Sequence, residues 1–424
     1  MKIIVQKFGG TSVATPESRE CVAGHIIRRK EAGYGVVAVI SAMGRHGDPY
    51  ATDTLLDLVK SPKGDGALVS PHNLDLLLAC GEIISSVVMA HTLETKGHSA
   101  IALSGAQAGI ITDEAFGSAK VIGCNPVMVW KYLKQGFIVL VAGFQGISRG
   151  YAITTLGRGG SDTTASVMGA ALRAEEVEFY KDVDGVFSAD PNVCEDAIVQ
   201  SRVTYEELAE MAYGGAKVIH PQAVEIAKEF TVPVRVRPTF DPRKDEEGTL
   251  VTFEQGGAER IITGIAHVAD LVHVRLSFND GGEAGPREVE SRRMRAFHSL
   301  GAAGISLDFI NIAGEDLFFT IRKDQVEACA RSLAEIHCTR RLRGDCAKVV
   351  VVGAGMHGRP GVMSVVVECL FEAGVPILHS TDSHTTLSCL IPSEALRTAV
   401  GALHKRFCAD EAEQDSIRGE TNST

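Results

Sequence analysis

Six short runs rich in β-branched residues, alternating with helical patterns, most constrain how this chain can fold. KIIVQKF (2–8), YGVVAVIS (34–41), SAIAL (99–103), FIVLVAGF (137–144), VEFYKDV (177–183) and VPVRVR (232–237) are short runs of the kind buried in a parallel sheet. Between them, residues 16–32 open on Thr15 and Pro16 and stop at Gly33, while 71–95 and 125–134 each open on or beside a proline. Strands alternating with helices predict an α/β fold with a parallel or mixed sheet covered on both faces. Ligands of such sheets bind at the carboxyl ends of the strands, so chemistry is expected in the loops just after them.

Past about residue 245 the texture changes. DPRKDEEG (241–248) reads as a charged linker, and an internal repeat follows it. AGIS (303–306) matches AGVP (373–376), LFFTI (317–321) matches LSCLI (387–391), and SLAEIHC (332–338) matches ALHKRFC (402–408), all at one offset of 70 residues. Two copies of a strand–helix–strand–strand–helix unit are the simplest reading. This gives a first domain over 1–245, repeat copies over 262–338 and 346–408, and a polar, frayed tail over 409–424.

Composition bounds the function classes. A chain of 424 residues with 45% hydrophobic content can bury two or three cores. No run approaches the roughly 20 apolar residues of a membrane span, and MKIIVQKF enters a strand without a signal-peptide core, so a cytoplasmic location is expected. Ten cysteines without a C-x-x-C pair indicate neither a zinc site nor a disulfide framework. A formal charge of −11 argues against a nucleic-acid partner, because a phosphate backbone needs a basic face.

The strand-end loops carry the candidate chemistry. In KFGGTS (7–12), Gly9 and Gly10 let backbone N–H groups approach an anion and Lys7 adds a point charge, which makes a phosphate cradle or, alternatively, a structural turn. The lysine precedes the glycines, so this is not a G-x-x-x-x-G-K-[ST] loop. SAMG (41–44) and the following HGDPYATDTLL place Ser41, Thr52 and Asp53 near a strand end, with helix capping as the competing role. Glu82 interrupts the apolar helix LLLACGEIISSVVMA (76–90), where a lone carboxylate needs a cationic or hydrogen-bonding partner. It is read as a ligand for an ammonium group, against a structural salt bridge.

TTLGRGGSDTTA (154–165) is the most informative loop. Its glycines allow close backbone approach, Ser161 or Asp162 caps the following helix, and that helix N-terminus favours an anion. Arg158 can grip a carboxylate with its planar fork and Asp162 can meet an ammonium, so the loop reads as an α-amino-acid clamp. The alternative is a capped helix with a solvated ion pair. KDVDGVFSADP (181–191) and GGAKVIHPQA (214–223), the latter carrying Lys217, are weaker phosphate-site candidates.

Taken together, KFGGTSVA, SAMG, GE at 81–82, AGFQG (142–146), TTLGRGGSDTTA, DVDGV…DP, GAKVIHPQAVEIA and VPVRVR resemble bacterial monofunctional aspartate kinases of the amino acid kinase superfamily. MKIIVQKFGGTSV, SAMGRHGDPYATD and STDSHTT (380–386) look most like the Bacillus-type, diaminopimelate-responsive branch. The resemblance implies an amino acid kinase sandwich with a mainly parallel central sheet, followed by two ferredoxin-like ACT domains. It also implies transfer of the γ-phosphoryl of MgATP to the side-chain carboxylate of L-aspartate, the first step toward lysine, diaminopimelate, threonine and methionine.

Carried over residue by residue, Lys7, Gly9, Gly10 and Ser41 hold the phosphates. Thr52, Glu82, Phe144, Arg158, Ser161 and Asp162 bind aspartate, and Lys181, Asp182, Phe187 and Lys217 line the nucleotide site. Lys7, Arg158 and Asp162 are the catalytic set, and Mg²⁺ arrives with ATP rather than in a protein cage. Lys181 stands where most relatives have threonine, Phe187 where many have tyrosine, and Asn192 where they have arginine. A fixed cation is lost with that arginine, and Lys181 is placed to replace it in part.

Met356, Gly361, Ser380, Thr381, Asp382 and His384 are the candidate contacts for an amino-acid effector, diaminopimelate, lysine or threonine, in a homo-oligomer. GAGMHG (353–358) formally satisfies G-x-G-x-x-G, but too little chain follows for a dinucleotide fold. A catalytically silent amino-acid sensor, or a kinase for another amino acid such as glutamate, are the alternatives.

Overall fold

The computed structural model describes residues 1–59, 69–216, 218–241, 248–253, 261–278, 285–356 and 359–408. The chain divides into two units: one of residues 1–186, 199–212 and 217–258, the other of 187–198, 213–216 and 259–424. A single cut near 245 therefore does not describe the division, because two short segments of the first domain belong to the second unit.

The first unit is built on an eight-stranded sheet in the order Arg202–Thr204, Thr249–Thr252, Val234–Pro238, Glu176–Lys181, Ile3–Phe8, Gly35–Ile40, Ile138–Ala142, Ala100–Leu103. All neighbours are parallel except Val234–Pro238 against Thr249–Thr252. Every residue of Ile3–Phe8, Gly35–Ile40 and Ile138–Ala142 is buried, which is why the last two read as unbroken apolar runs and the first is interrupted only by the buried Gln6 and Lys7. All six expected strands lie in this sheet, and the remaining two, Arg202–Thr204 at one edge and Thr249–Thr252 beside it, had no comparable signal.

Helices Pro16–Glu31 and Pro71–Glu94 begin where the capping pattern predicts, with Thr15 and Ser70 side chains accepting the amides of Ser18 and Asn73. Pro71–Glu94 corrects one expectation, since by length and composition alone it could cross a bilayer. It packs against Ala100–Leu103, Ile138–Ala142 and Ile153–Thr155, with Met89 and Leu93 in the core, so its apolarity serves the interior of this unit. A smaller sheet, Val121–Cys124, Ile110–Thr112, Gln145–Ser148, Ile153–Thr155, carries the arginine–glycine loop on its last strand.

The second unit contains both repeat copies, each with the expected strand–helix–strand–strand–helix order. They form one six-stranded antiparallel sheet, in the order Asp308–Ala313, Asp316–Arg322, Gly264–Ser277, Thr339–Val352, Thr386–Pro392, His379–Asp382. Its two 14-residue central strands pair along their whole length, Gly264 opposite Val352 and Ser277 opposite Thr339, with irregularities between Val268 and His273. One core gathers Val274, Leu276, Leu300 and Phe319, and another gathers Ile265, Val351, Val366 and Leu403. Strand Gly264–Ser277 thus serves both cores, whereas Thr339–Val352 contributes Ala347, Val349 and Val351 to the second. The expected linker (242–247) and tail (409–424) lie outside the described residues.

Candidate active site

Three adjacent parallel strands, Gly35–Ile40, Ile3–Phe8 and Glu176–Lys181, end side by side and deliver Ser41, Lys7 with Gly9 and Gly10, and Lys181 with Asp182. The first two loops are locked together: Gly44 N–H donates to Gly10 O (3.0 Å) and Ser41 N–H to Phe8 O (3.2 Å). A Cβ at Gly10 would fall 2.4 Å from Ala42 O, so only glycine permits this approach. At Gly9, by contrast, the one atom within 4 Å of an added Cβ is Lys7 Nζ, at 3.8 Å. Beside the ammonium there is room that an anion can fill.

Asp162 is the electrostatic centre. Its Oδ1 lies 2.7 Å from Lys7 Nζ, its Oδ2 lies 3.2 Å from Lys181 Nζ, and Oδ2 also accepts the amide of His220 at 3.2 Å. All three side chains are largely buried. Burial alone would raise the carboxyl, but Lys181 and Lys7 outweigh it and hold Asp162 well below the usual carboxylate range. The expected role of Asp162, meeting an ammonium, is therefore taken up by two ammonium groups of the chain itself.

Helix Gly160–Leu172 positions this carboxylate in its first turn. Gly159, its N-cap, is left-handed at φ 75° and lies against the His220 ring, 2.2 Å from where a Cβ would stand. Arg158 is exposed between Gly157 and Gly159 and makes no ion pair with a described residue, so its fork is available. Ser161 packs on Gly143, and Phe144, next in sequence, holds a left-handed φ of 66° that aromatic residues rarely adopt. Phe144 N–H to Thr164 Oγ1 (3.2 Å) and Leu156 N–H to Phe144 O (2.8 Å) fix it there.

Glu82 lies on the Pro71–Glu94 helix, 2% exposed, with Oε1 accepting the amide of Ala42 (3.2 Å) and Oε2 without a partner among the described residues. Burial pushes its carboxyl up to about 8, partly offset by its own amide and that of Ala42. The adjacent Gly81 lets Ala42 and the Tyr50 carbonyl close over the helix. Thr52 starts the short helix Thr52–Asp57, whose N-cap is Ala51 and lacks a side-chain cap, so neither Thr52 nor Asp53 caps it. Asp182 is exposed and faces Arg45 at 3.6 Å.

Not every expected residue enters this site. Lys217 lies outside the described residues. Phe187 falls in the second unit, as do Asn192, whose amide and side chain bind Asp190, and all six expected effector contacts. Of these, Met356 is packed in a core, Gly361 caps helix Val362–Glu372 at φ 92°, Ser380, Thr381 and Asp382 are exposed on an edge strand, and His384 is exposed in the turn that follows.

Two features escaped the sequence reading. Asp75, seven residues before Glu82 on the same helix, accepts Thr155 N–H (2.7 Å), Thr155 Oγ1–H (2.9 Å) and Gly117 N–H (3.0 Å), and so anchors the strand that leads into Arg158. Beneath the glycine loop, Thr239 meets Ser12 Oγ (3.1 Å), its carbonyl meets His25 Nε2 (2.8 Å), and its amide donates to Lys181 O (2.7 Å). The seven-residue spacing of two acids in an apolar helix was a usable signal for Asp75. Thr239 had none.

A site that joins an anion cradle, a buried lysine pair, a free arginine and an unsatisfied carboxylate suits a ligand with phosphate, carboxylate and ammonium groups. The comparisons agree with that chemistry. The amino acid kinase family model matches residues 2–238, and an ACT domain model matches 341–405. Aspartokinase 1 of Bacillus subtilis (strain 168) is 45% identical over 96% of this chain and 99% of its own length. The solved structure of E. coli aspartokinase III in complex with aspartate and ADP superimposes with a TM-score of 0.77 at 24% identity, covering 95% of this chain and 99% of that one. The same enzyme in complex with lysine and aspartate gives 0.75 at 24% identity, over 96% and 100%.

Proposed function

We propose a residue-level mechanism from the premise that this chain belongs to the amino acid kinase family and, within it, to the aspartokinases. The reaction transfers the γ-phosphoryl of ATP to the side-chain carboxylate of L-aspartate, giving 4-phospho-L-aspartate. The observation that carries the assignment of roles is the Lys7–Asp162–Lys181 cluster at the mouth of the glycine loop.

A carboxylate is already a nucleophile at neutral pH, so the protein need not supply a general base. The aspartate oxygen forms a bond to the γ-phosphorus while the bond to the bridging oxygen breaks, and ADP leaves with that electron pair. Lys7 and the amides of Gly9 and Gly10 hold the phosphates. Ser41 borders them, and Asp182 and Lys217 belong to the nucleotide side. Arg158 grips a carboxylate of the substrate, Glu82 takes its ammonium, and Thr52, Phe144 and Ser161 wall the pocket.

Asp162 we assign to orienting the two lysines rather than to the substrate ammonium. Mg²⁺ arriving with the nucleotide would supply further neutralisation of charge on the transferring group, beside Lys7 and the Gly9 and Gly10 amides.

Hydroxylamine trapping tests the reaction. Hydroxamate should form with MgATP and L-aspartate and not with L-glutamate, and its absence with aspartate would refute the assignment. Adding diaminopimelate, lysine or threonine to the same assay reads regulation. We infer that one of them acts at Ser380, Thr381, Asp382 and His384, near Met356 and Gly361, in a cytoplasmic homo-oligomer. The lysine complex of E. coli aspartokinase III and the matched ACT domain support an amino-acid effector.

Glu82 gives a pH signature. Its carboxyl, raised to about 8 by burial, is protonated in the free enzyme at neutral pH, while an ammonium ligand favours the ionised form. Aspartate binding should therefore release a proton, and affinity should rise up to about tenfold per pH unit below 8, then level off. Calorimetry in buffers of different ionisation enthalpy measures the released proton. Glu82→Gln should abolish it, and a pH-independent wild-type affinity would contradict the ammonium role.

A further inference from the structure

We propose that Lys181 is a second phosphoryl-binding cation, paired with Lys7 by their shared carboxylate Asp162, and hence a further residue of the transfer step itself. The proposal deepens the aspartate kinase reading of this site and rests on it.

The argument begins with charge. A buried Lys7–Asp162 pair alone would be neutral and would offer a polyphosphate no net attraction. With Lys181 on the other oxygen, the cluster carries two ammonium groups against one carboxylate and is left one positive charge in surplus. An excess charge in a buried site calls for a counter-anion, and the space beside Lys7 at Gly9 lies open to one.

The backbone explains why both lysines reach the same place. Phe8 pairs with Tyr180 in the parallel ladder, so Lys181 stands one residue further on, level with Gly9. Its carbonyl is held by Thr239 N–H, the residue that also ties down Ser12 of the glycine loop. Lys181 is thus fixed to the loop that would cradle the phosphates.

Its surroundings set its titration. From the first strand it faces Lys7, from helix Gly160–Leu172 Asp162, and from its own strand end Asp182, which Arg45 approaches. On the other neighbouring strand, Arg237 turns to Glu178 at 3.0 Å, and His220 contributes only its backbone amide to Asp162. Burial lowers Lys181 to about 8, with Asp162 opposing the fall. Its charge is therefore lost as pH rises through that value.

The test compares Lys181→Met and Lys181→Arg with wild type, measuring kcat/KM for ATP from pH 6.5 to 9.5 by hydroxamate formation at saturating aspartate, with thermal melting to follow folding. Lys181→Met should lose about 10²-fold or more at pH 7, in the range seen when one preorganised transition-state donor is removed. Lys181→Arg keeps its charge, so its alkaline fall should shift upward by about one pH unit or more relative to wild type. A residue that merely balances Asp162 would not move that limb. Lys181→Met within about threefold of wild type at every pH, or an Arg variant whose alkaline limb coincides with wild type, would overturn the proposal. Should the Met variant fail to fold, the Arg comparison decides alone. Absence of hydroxamate from wild type would refute the kinase assignment instead, which keeps the two failures distinct.

Discussion

Asp162→Asn lowers kcat by about 10²- to 10³-fold at saturating ATP and aspartate, while the protein keeps its fold. Asparagine has the same shape and can still accept the His220 amide, so the local backbone has its partner. What disappears is the charge that holds Lys7 and Lys181 together. Two ammonium groups that shared one carboxylate, at 2.7 and 3.2 Å, then repel each other and move from the phosphate site. Steady-state kinetics separate this from the alternative in which Asp162 contacts the substrate ammonium. Loss of kcat supports the lysine-orienting role, whereas a rise confined to the KM for aspartate would reject it.

Arg158→Ala has the second large effect, on the other substrate. A charged hydrogen bond is worth about 1.5–3 kcal/mol, so removing this fork should raise the KM for aspartate by about 10- to 150-fold and leave the KM for ATP close to wild type. Arg158→Lys should restore little, because one ammonium cannot make two parallel bonds to a carboxylate. Arg158 is exposed and unpaired among the described residues, so neither change should alter thermal stability by more than about 0.5 kcal/mol. An unchanged KM for aspartate would remove Arg158 from the pocket.

Much of this molecule is legible in its sequence because the central sheet is buried on both faces. Ile3–Phe8 and Gly35–Ile40 tolerate only apolar or paired residues, and their β-branched apolar content announces them. The strand-end loops are legible for the opposite reason, since Gly10 and Gly159 stand where a side chain would collide with Ala42 O or the His220 ring. Strand Arg202–Thr204 is only three residues long, so no periodicity develops. The shared positions of Asp162 were hidden as well: a sequence gives its charge, but the choice between a bound ammonium and two neighbouring lysines depends on strand register. Asp75 is satisfied by the amide and hydroxyl of Thr155, 80 residues off, and Thr239 by the side chains of Ser12 and His25, more than 200 residues off, which no local pattern encodes.

The two long central strands of the second unit have a consequence for how its repeats can be inherited and broken. Gly264–Val268 pairs with Lys348–Val352, while Leu271–Ser277 pairs with the opening half of Thr339–Val352. Neither copy owns a complete sheet, so a chain cut between them would leave two fragments, each with a bare strand edge, and would take Ile265 from the core around Val351. The shared seam is expected to make the two halves melt as one block, which a single calorimetric transition of the second unit would show. Substitutions in the two separate cores are accordingly not energetically independent, and a lineage could lose, transfer or duplicate this block only as a whole.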